Sequence, residues 1–355
     1  MRWQITRAFA LLLLVTLAVL AAAPRAAADA FDRARLAPLA SSERLRLFTL
    51  ARAIDTRQAP RSYSGALRRT LREQGFYHDG TPGTLDRTFR FSPVLAWDDN
   101  INGGYYHDQL DLGGLIFDAD PANRARAGLV IGTRADASIR LSWAEGRVID
   151  LRAGAELGWS PRHDIGRAFA QVEACARNHL AGWTFADVCA SVSGAHRALS
   201  DSRGTAVSAS LVHLVSTAGA AHELTLALDR RTTAEGGQNG MTLGWSAVWN
   251  RAVTEVTLGA GAPIPGATAT RLRLGARVGW IWHDRPVSLS AWHLRASGGL
   301  LLGMPRADQV TGIGLSVEAR PGMNVELSHQ VTRSTIALFE DVRTGLSVRF
   351  RLGRR

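Results

Sequence analysis

Lysine is absent from this 355-residue chain: all 42 basic residues are arginine. Cysteine occurs only twice, at Cys175 and Cys189. That is too few for a disulfide-built scaffold, and neither has a second ligating residue spaced as a metal site requires. A Gly-x-Ser-x-Gly nucleophile motif is missing. Beyond the run from Ala8 to Ala23 there is no second long apolar stretch, so nothing after it supplies the ~20 apolar residues that a membrane-crossing helix needs. His163-Asp164 and the His196 and Asp201 pair fall in expected loops, where adjacent charges are ordinarily just solvated. The chain is therefore read as having no catalytic, cofactor-binding or metal-binding machinery.

The first 28 residues read as a signal peptide. Arg2 and Arg7 precede the apolar run, and Ala26-Ala27-Ala28 and Ala28-Asp29-Ala30 both satisfy a small-x-small cleavage rule. The apolar run is roughly 16 residues, shorter than a spanning helix. Formal net charge is +11; without Arg2, Arg7 and Arg25, 39 basic residues face 31 acidic ones, or +8. In an exported chain that excess points away from nucleic acid and toward anionic lipid headgroups, polysaccharide or an acidic client. With no spanning helix, an exported chain is periplasmic, secreted or a β-barrel, because only helices and closed barrels satisfy every backbone polar group in lipid.

Two patterns divide the remainder. Residues 29–84 are expected to form a short helical periplasmic segment. Leu45, Leu47, Leu50 and Ile54 lie near helical spacing with Ser41 or Ser42 as cap, Pro60 is a break, and Leu67 and Leu71 share a face of a second helix over Ser62–Gln74. From residue 85 to the end, period-two alternation takes over. Leu346, Val348, Phe350 and Leu352 alternate with Gly345, Ser347, Arg349 and Arg351. Ile149, Leu151, Ala153, Ala155, Leu157 and Trp159 alternate with Asp150, Arg152, Gly154 and Glu156. Strands of about 9–12 residues, a charged and glycine-rich polar face, and aromatics toward strand ends (Phe89, Trp97, Trp143, Trp159, Trp249, Trp282) favour a transmembrane barrel over a soluble sandwich. The fold class is all-β: a closed antiparallel transmembrane β-barrel of about 16 strands, with 14 as the alternative. The count of 16 includes strands at 109–117, 124–134 and 137–144. It places short turns, Asp118–Asn123 among them, on the periplasmic side and longer loops outside, notably Asp98–His107, Ala195–Arg203 and Ser334–Asp341.

Cys175 and Cys189 are equidistant from Gly182, the centre of an expected hairpin, so they are expected to be cross-strand partners joined by a disulfide on the luminal face. Expected lumen-lining residues include Arg140, Arg152, Arg271, Arg273, Arg277, Arg349, Arg351, Glu156 and Glu223. Rings of arginine would favour anions, whereas the mixture of signs favours cross-strand ion pairs that brace the wall.

One segment resembles a known family. Phe91-Ser92-Pro93-Val94-Leu95-Ala96-Trp97-Asp98-Asp99-Asn100-Ile101-Asn102 resembles the opening barrel strand of surface lipoprotein assembly modifier proteins, and Ser328-His329-Gln330-Val331 through Ser334–Glu340 resembles their penultimate hairpin. Porin-like and exopolysaccharide-linked barrels share the aspartate-asparagine motif, and Asp98, Asp99, Asn100 and Asn102 also read plainly as a hydrophilic outer turn. The resemblance implies a barrel that assists export or display of a surface lipoprotein client. The alternative is a porin-like channel for small or anionic solutes, or a structural barrel. Family members carry a long helical-repeat domain; here only about 50 residues precede the barrel, too few to stack as a solenoid. Those residues are expected to plug the periplasmic mouth, to bind a client, or to act as a linker. The expected location is the outer membrane of a Gram-negative cell, with outer-membrane lipid, lipopolysaccharide and the barrel assembly machinery as partners, and no nucleic acid.

Overall fold

Fourteen strands, each paired antiparallel with its neighbours, close on themselves so that the first meets the last. In the computed structural model, residues 30–55, 61–77, 81–112, 115–118, 120–217 and 219–350 are described. The chain enters through three helices, α1 (Ala30–Leu36), α2 (Glu43–Asp55) and α3 (Arg61–Glu73), with a 3-10 turn at Ala37–Leu39. Strand β1 covers Gly83–Asp98. A small hairpin, β2 (Gln109–Leu112) and β3 (Leu115–Asp118), stands apart from the barrel. The barrel then continues through β4 (Gly128–Ala144), β5 (Arg147–Ser160), β6 (Ile165–Ala181), β7 (Thr184–Arg197), β8 (Ser200–Ser216), β9 (Ala221–Thr233) and β10 (Gly236–Val248). It is completed by β11 (Val253–Gly261), β12 (Ala269–Trp282), β13 (Arg285–Leu301), β14 (Met304–Arg320), β15 (Met323–Ser334) and β16 (Asp341–Phe350). Every consecutive pair from β4 to β16 is hydrogen-bonded, and β1 closes the ring between β4 and β16.

The barrel therefore has 14 strands and not 16, for two reasons. The expected strands at 124–134 and 137–144 are one continuous strand, β4. Its Asp136 points to the polar interior beside Arg134 and makes no turn. The expected strand at 109–117 is instead the β2–β3 hairpin, four residues on each side, too short to cross a barrel. Asp118–Asn123 consequently lies in the same long connection as Asp98–His107, at one end of the barrel, and not at the opposite end. Several of the other expected loops are strand: β7 and β8 run to Arg197 and from Ser200. The connection over 99–127 is the long one. Strand β1 also begins earlier than its alternation suggested, at Gly83, which leaves Phe89 in mid-strand.

Burial is inverted relative to a water-soluble sheet. On β5 the apolar face is the exposed one, with Leu157 58% and Trp159 49% accessible, while Asp150 on the other face is 2% accessible. The same inversion holds on β8 and β9, where Val207, Leu211, Leu224, Leu226 and Leu228 are exposed. An interior of charged and hydroxyl groups under a mantle of aliphatic side chains is the arrangement a lipid-facing barrel requires. No helix among the described residues is long and apolar enough to cross a membrane.

The turns at one end, which we call the turn end, are tight. His283 and Asp284 both adopt positive φ (47° and 59°), so two residues suffice to link β12 to β13 in the handedness that matches strand twist. At the β6–β7 hairpin Gly182 has φ 55°, and seven residues along each strand from it Cys175 and Cys189 are register partners, disulfide-bonded with Cα atoms 4.1 Å apart. The bond sits inside the barrel, flanked on neighbouring strands by Asp150 and Ser208. Alkylation of the unfolded, unreduced protein should label no thiol, and reduction should expose two. The Cys175→Ser, Cys189→Ser double variant should keep the gel mobility of an intact barrel while unfolding at a lower denaturant concentration. Two freely labelled thiols in material folded under oxidising conditions would contradict the assignment.

Candidate functional site

At the turn end the barrel interior changes character. Phe185, Val212, Leu214, Val248 and Val253, all on inward positions, are almost wholly buried and form an apolar socket. Leu36, Ala40, Leu45 and Phe48 of the helical segment fill it, with Phe48 edge-on to Trp183 at 4.8 Å between ring centroids. Leu45 and Phe48 are completely inaccessible to solvent. Residues three apart share a helix face, so the stripe on α2 meets the wall. Ser42 starts that helix: its hydroxyl accepts from the Leu45 amide at 3.2 Å, satisfying one of the helix's open amides, and donates to Glu223 on the wall. Burying a large aliphatic or aromatic side chain stabilises by roughly 1.5–3 kcal/mol, so this stripe alone favours docking strongly.

Charge fixes the segment's orientation. The Arg44 guanidinium donates two bonds to the Asp187 carboxylate, at 2.8 and 2.7 Å, and Arg44 itself is 6% accessible. Glu43 faces three wall arginines, Arg140 at 2.9 Å, Arg177 at 3.6 Å and Arg152 at 3.9 Å, which also surround Asp150 at 2.7, 3.5 and 2.8 Å. Without Glu43, one wall carboxylate would be left among three guanidinium groups. Gln74 adds a bond to Glu43 at 3.0 Å, and Arg140 donates to the Glu73 carbonyl at 3.3 Å. Ser41 gives its amide and hydroxyl to Glu255 at 2.7 and 2.8 Å, and Arg277 donates to both Glu255 and the Leu39 carbonyl. Burial opposes ionisation of Glu43, but Arg140, Arg177 and Arg152 outweigh it and hold its carboxyl below the usual range.

Of the expected lumen-lining residues, Arg140, Arg152, Arg277 and Glu223 meet the helices. Glu156 lies further up the lumen between Arg134 and Arg167. Arg349 pairs with Glu326 at 3.5 Å. Arg271 sits at the β12 bulge with its Nη1 buried and without a hydrogen-bond partner, and Arg273 is exposed on the same strand. Arg351 lies outside the described residues, as does the expected signal peptide. Among the described residues, the wall arginines do not form an unpaired cationic ring. A recurring same-face pair, two residues apart on one strand, ties Arg134 to Asp136, Arg152 to Asp150, Arg231 to Asp229, Arg306 to Asp308 and Arg343 to Asp341.

The Asp98, Asp99, Asn100 and Asn102 motif is not a solvated turn. Asn100 and Asn102 are 6% and 2% accessible. Asn100 closes a loop onto Gly104, while Asn102 bonds the Arg124 carbonyl and the Arg126 amide and accepts the Leu199 amide at its own carbonyl. Asp98 faces Arg167 and Arg197 inside the barrel; Asp99 accepts the Trp97 indole and the Thr344 amide. The cluster pins the 99–127 connection across the end of the barrel opposite the helices, which we call the loop end. Composition alone labels such residues hydrophilic; the signal that they are structural is their density beside Gly103-Gly104. The socket was also missed. Its trace in the sequence is the run Leu211-Val212-His213-Leu214-Val215, where alternation fails because both faces are apolar.

No protein-family model matches the chain, and no curated protein matches it. Among solved structures, it is similar to OprB of Pseudomonas putida (9% identity, TM-score 0.46, covering 82% of this chain and 97% of that one). It is also similar to OccK9 (OpdG) of Pseudomonas aeruginosa (9% identity, TM-score 0.42, 75% and 98%), and to OccAB4 of Acinetobacter baumannii (6% identity, TM-score 0.39, 77% and 98%).

Removing one partner of a buried bidentate pair leaves the other charge stranded, at a cost of about 3–5 kcal/mol. Arg44→Ala should therefore loosen the helical segment without dismantling the barrel. Tryptic cleavage after Arg46, followed by mass spectrometry on the folded protein, should accelerate by about a hundredfold or more. An unchanged cleavage rate would show that the Arg44–Asp187 pair does not hold the segment.

Proposed function

We propose that this chain is a channel of the porin type in a Gram-negative outer membrane, narrowed at its periplasmic mouth by its own N-terminal helices. The observation that carries this reading is the sidedness of the wall: aliphatic outside, charged and ion-paired inside, around a lumen wide enough to hold folded helices. The turn end, where the helices enter, would face the periplasm and the 99–127 connection the outside. Outer-membrane lipid and lipopolysaccharide would cover the apolar mantle, and the barrel assembly machinery would insert it. Small solutes would be the cargo. The balanced ion pairs argue for weak charge selectivity, since an anion entering finds most arginines already neutralised. An assembly-modifier role would need the helical segment to present a surface to a client. Its apolar stripe is instead buried against the wall, which favours the channel.

Single-channel recording in planar bilayers tests this. The full chain should give small, discrete steps, and Arg44→Ala should give larger ones. Glu43 titrates lower when docked than when free, so docking binds fewer protons than release does. Its contribution is complete above the ordinary carboxylate value, about 4.3, and is lost as pH falls through the lowered one. Conductance should accordingly rise on acidification below that range, and Glu43→Gln should blunt the response. A barrel that passes no current in either form, at either pH, would refute the channel.

A further inference from the structure

The outer wall is not apolar along its whole height. Leu289 and Ala291 on β13, Leu315 and Ile313 on β14, and Val325 and Leu327 on β15 face outward as the strands rise from the turn end. Toward the loop end the same outward positions turn polar. Register pairs His293 with Thr311, and Arg295 with Gln309, which pairs on its other side with Arg333. Arg295, Gln309 and Arg333 therefore stand in one outward row across three adjacent strands, the two arginines about 10 Å apart at the backbone, which is two strand spacings. From Val325 to Arg333 is eight residues. On a tilted strand that is a climb of about 20 Å, close to the ~25 Å height of a barrel's apolar band. The row thus stands at headgroup level in the loop-end leaflet, where a charge escapes the hydrocarbon.

These arginines differ from those of the lumen, many of which are tied to a carboxylate on their own strand. Asp308 and Glu326, on the same strands, face inward and pair with Arg306 and Arg349 there. Glu318 also faces inward by register, so among the described residues of β13, β14 and β15 no carboxylate shares the outward face. Arg295 uses only its Nε, which donates to His293 at 3.2 Å, and His293 is held in turn by Thr311 at 2.9 Å. Both Nη nitrogens of Arg295 stay available, and Arg295 and Gln309 are exposed. Among the described residues, the side chains of Arg333 and Gln309 make no hydrogen bond or ion pair. Two uncommitted guanidinium groups on either side of a neutral amide suit a phosphate, which guanidinium grips through paired N–H donors. At headgroup level that phosphate belongs to a lipid. The loop end faces outward in the orientation proposed above, and the outer leaflet of such a membrane is made of phosphorylated glycolipid. Resting on that orientation, we propose that Arg295, Gln309 and Arg333 form a binding site on the outer wall for a phosphate of lipopolysaccharide.

The full-length protein, folded in an uncharged detergent, is titrated with bisphosphorylated lipid A, with lipid A stripped of both phosphates, and with phosphatidylglycerol. Bound lipid is counted by native mass spectrometry, with EDTA present so that no divalent cation bridges protein and phosphate. Saturable binding of bisphosphorylated lipid A, about tenfold or more tighter than of either other lipid, is expected. Arg295→Gln and Arg333→Gln should each weaken it about tenfold. Neither arginine holds a wall carboxylate, so the mobility of the folded barrel on gels should be retained. Equal affinity for the dephosphorylated lipid, loss of binding in EDTA, or unchanged affinity in both variants would each overturn the proposal. Tighter binding of phosphatidylglycerol would also overturn it, since the row would then suit the opposite leaflet. Binding reads the outer wall and conductance reads the lumen: lipid A binding by a barrel that passes no current would support the site while removing the channel.

Discussion

Closure of the sheet imposes the constraint from which the other features follow. A closed barrel has no edge, so backbone groups are satisfied strand to strand, and each side chain has only two directions available. On β4 and β5 every charged residue from Arg134 to Glu156 falls on the inner face, apart from those at the turn itself. The outer face cannot take them, and the inner face must therefore accommodate all of them at close quarters. Same-strand arginine–aspartate pairs two residues apart are the local solution, because residues i and i+2 share a face with no help from a neighbouring strand. Where that solution is incomplete, at Arg140, Arg152 and Arg177 around Asp150, the missing carboxylate comes from Glu43 on a helix.

The helical segment is thus a component of the wall's electrostatics as much as a lid. Its apolar stripe and its charged residues are matched to two different arcs of the barrel. Phe48 and Leu45 meet the β7–β11 side, and Glu43 meets β4, β5 and β6. Because α2 is anchored on both arcs, it spans the opening and does not hang from one side. The other end is crossed differently, by a connection whose asparagines replace backbone partners that a loop would otherwise lack.

How much of this was legible in the sequence depended on the range of the interaction. Alternation is local, so strands such as β5 and β12 could be read directly from residues like Leu151 and Arg152, or Leu274 and Arg273. The strand count was misread where local cues mislead. Ala135-Asp136-Ala137 resembles a turn until Asp136 is seen to face Arg134, and Leu110–Phe117 has the composition of a strand without the length of one. The three-dimensional matching of Arg44 with Asp187, 143 residues away, leaves no trace in spacing. Nor does the outward row of Arg295, Gln309 and Arg333, which three strands bring together. The apolar socket was legible in principle, since a stretch with both faces apolar inside an alternating strand marks a place where the lumen is filled.

The seam between β1 and β16 bears on how the molecule comes to be made. From β4 to β16 each strand pairs with the one that follows it in the chain, through hairpin contacts at most 31 residues apart. The β1–β16 join unites positions more than 240 residues apart, and the described residues share four register pairs there. Its closure entropy is the largest in the molecule, so the ring forms last, after a curved sheet already exists. The helices precede the strands in the chain, yet their socket is built from strands in its middle. They must remain unburied until that sheet curls, and their docking and the final join then belong to the same late, cooperative stage of assembly.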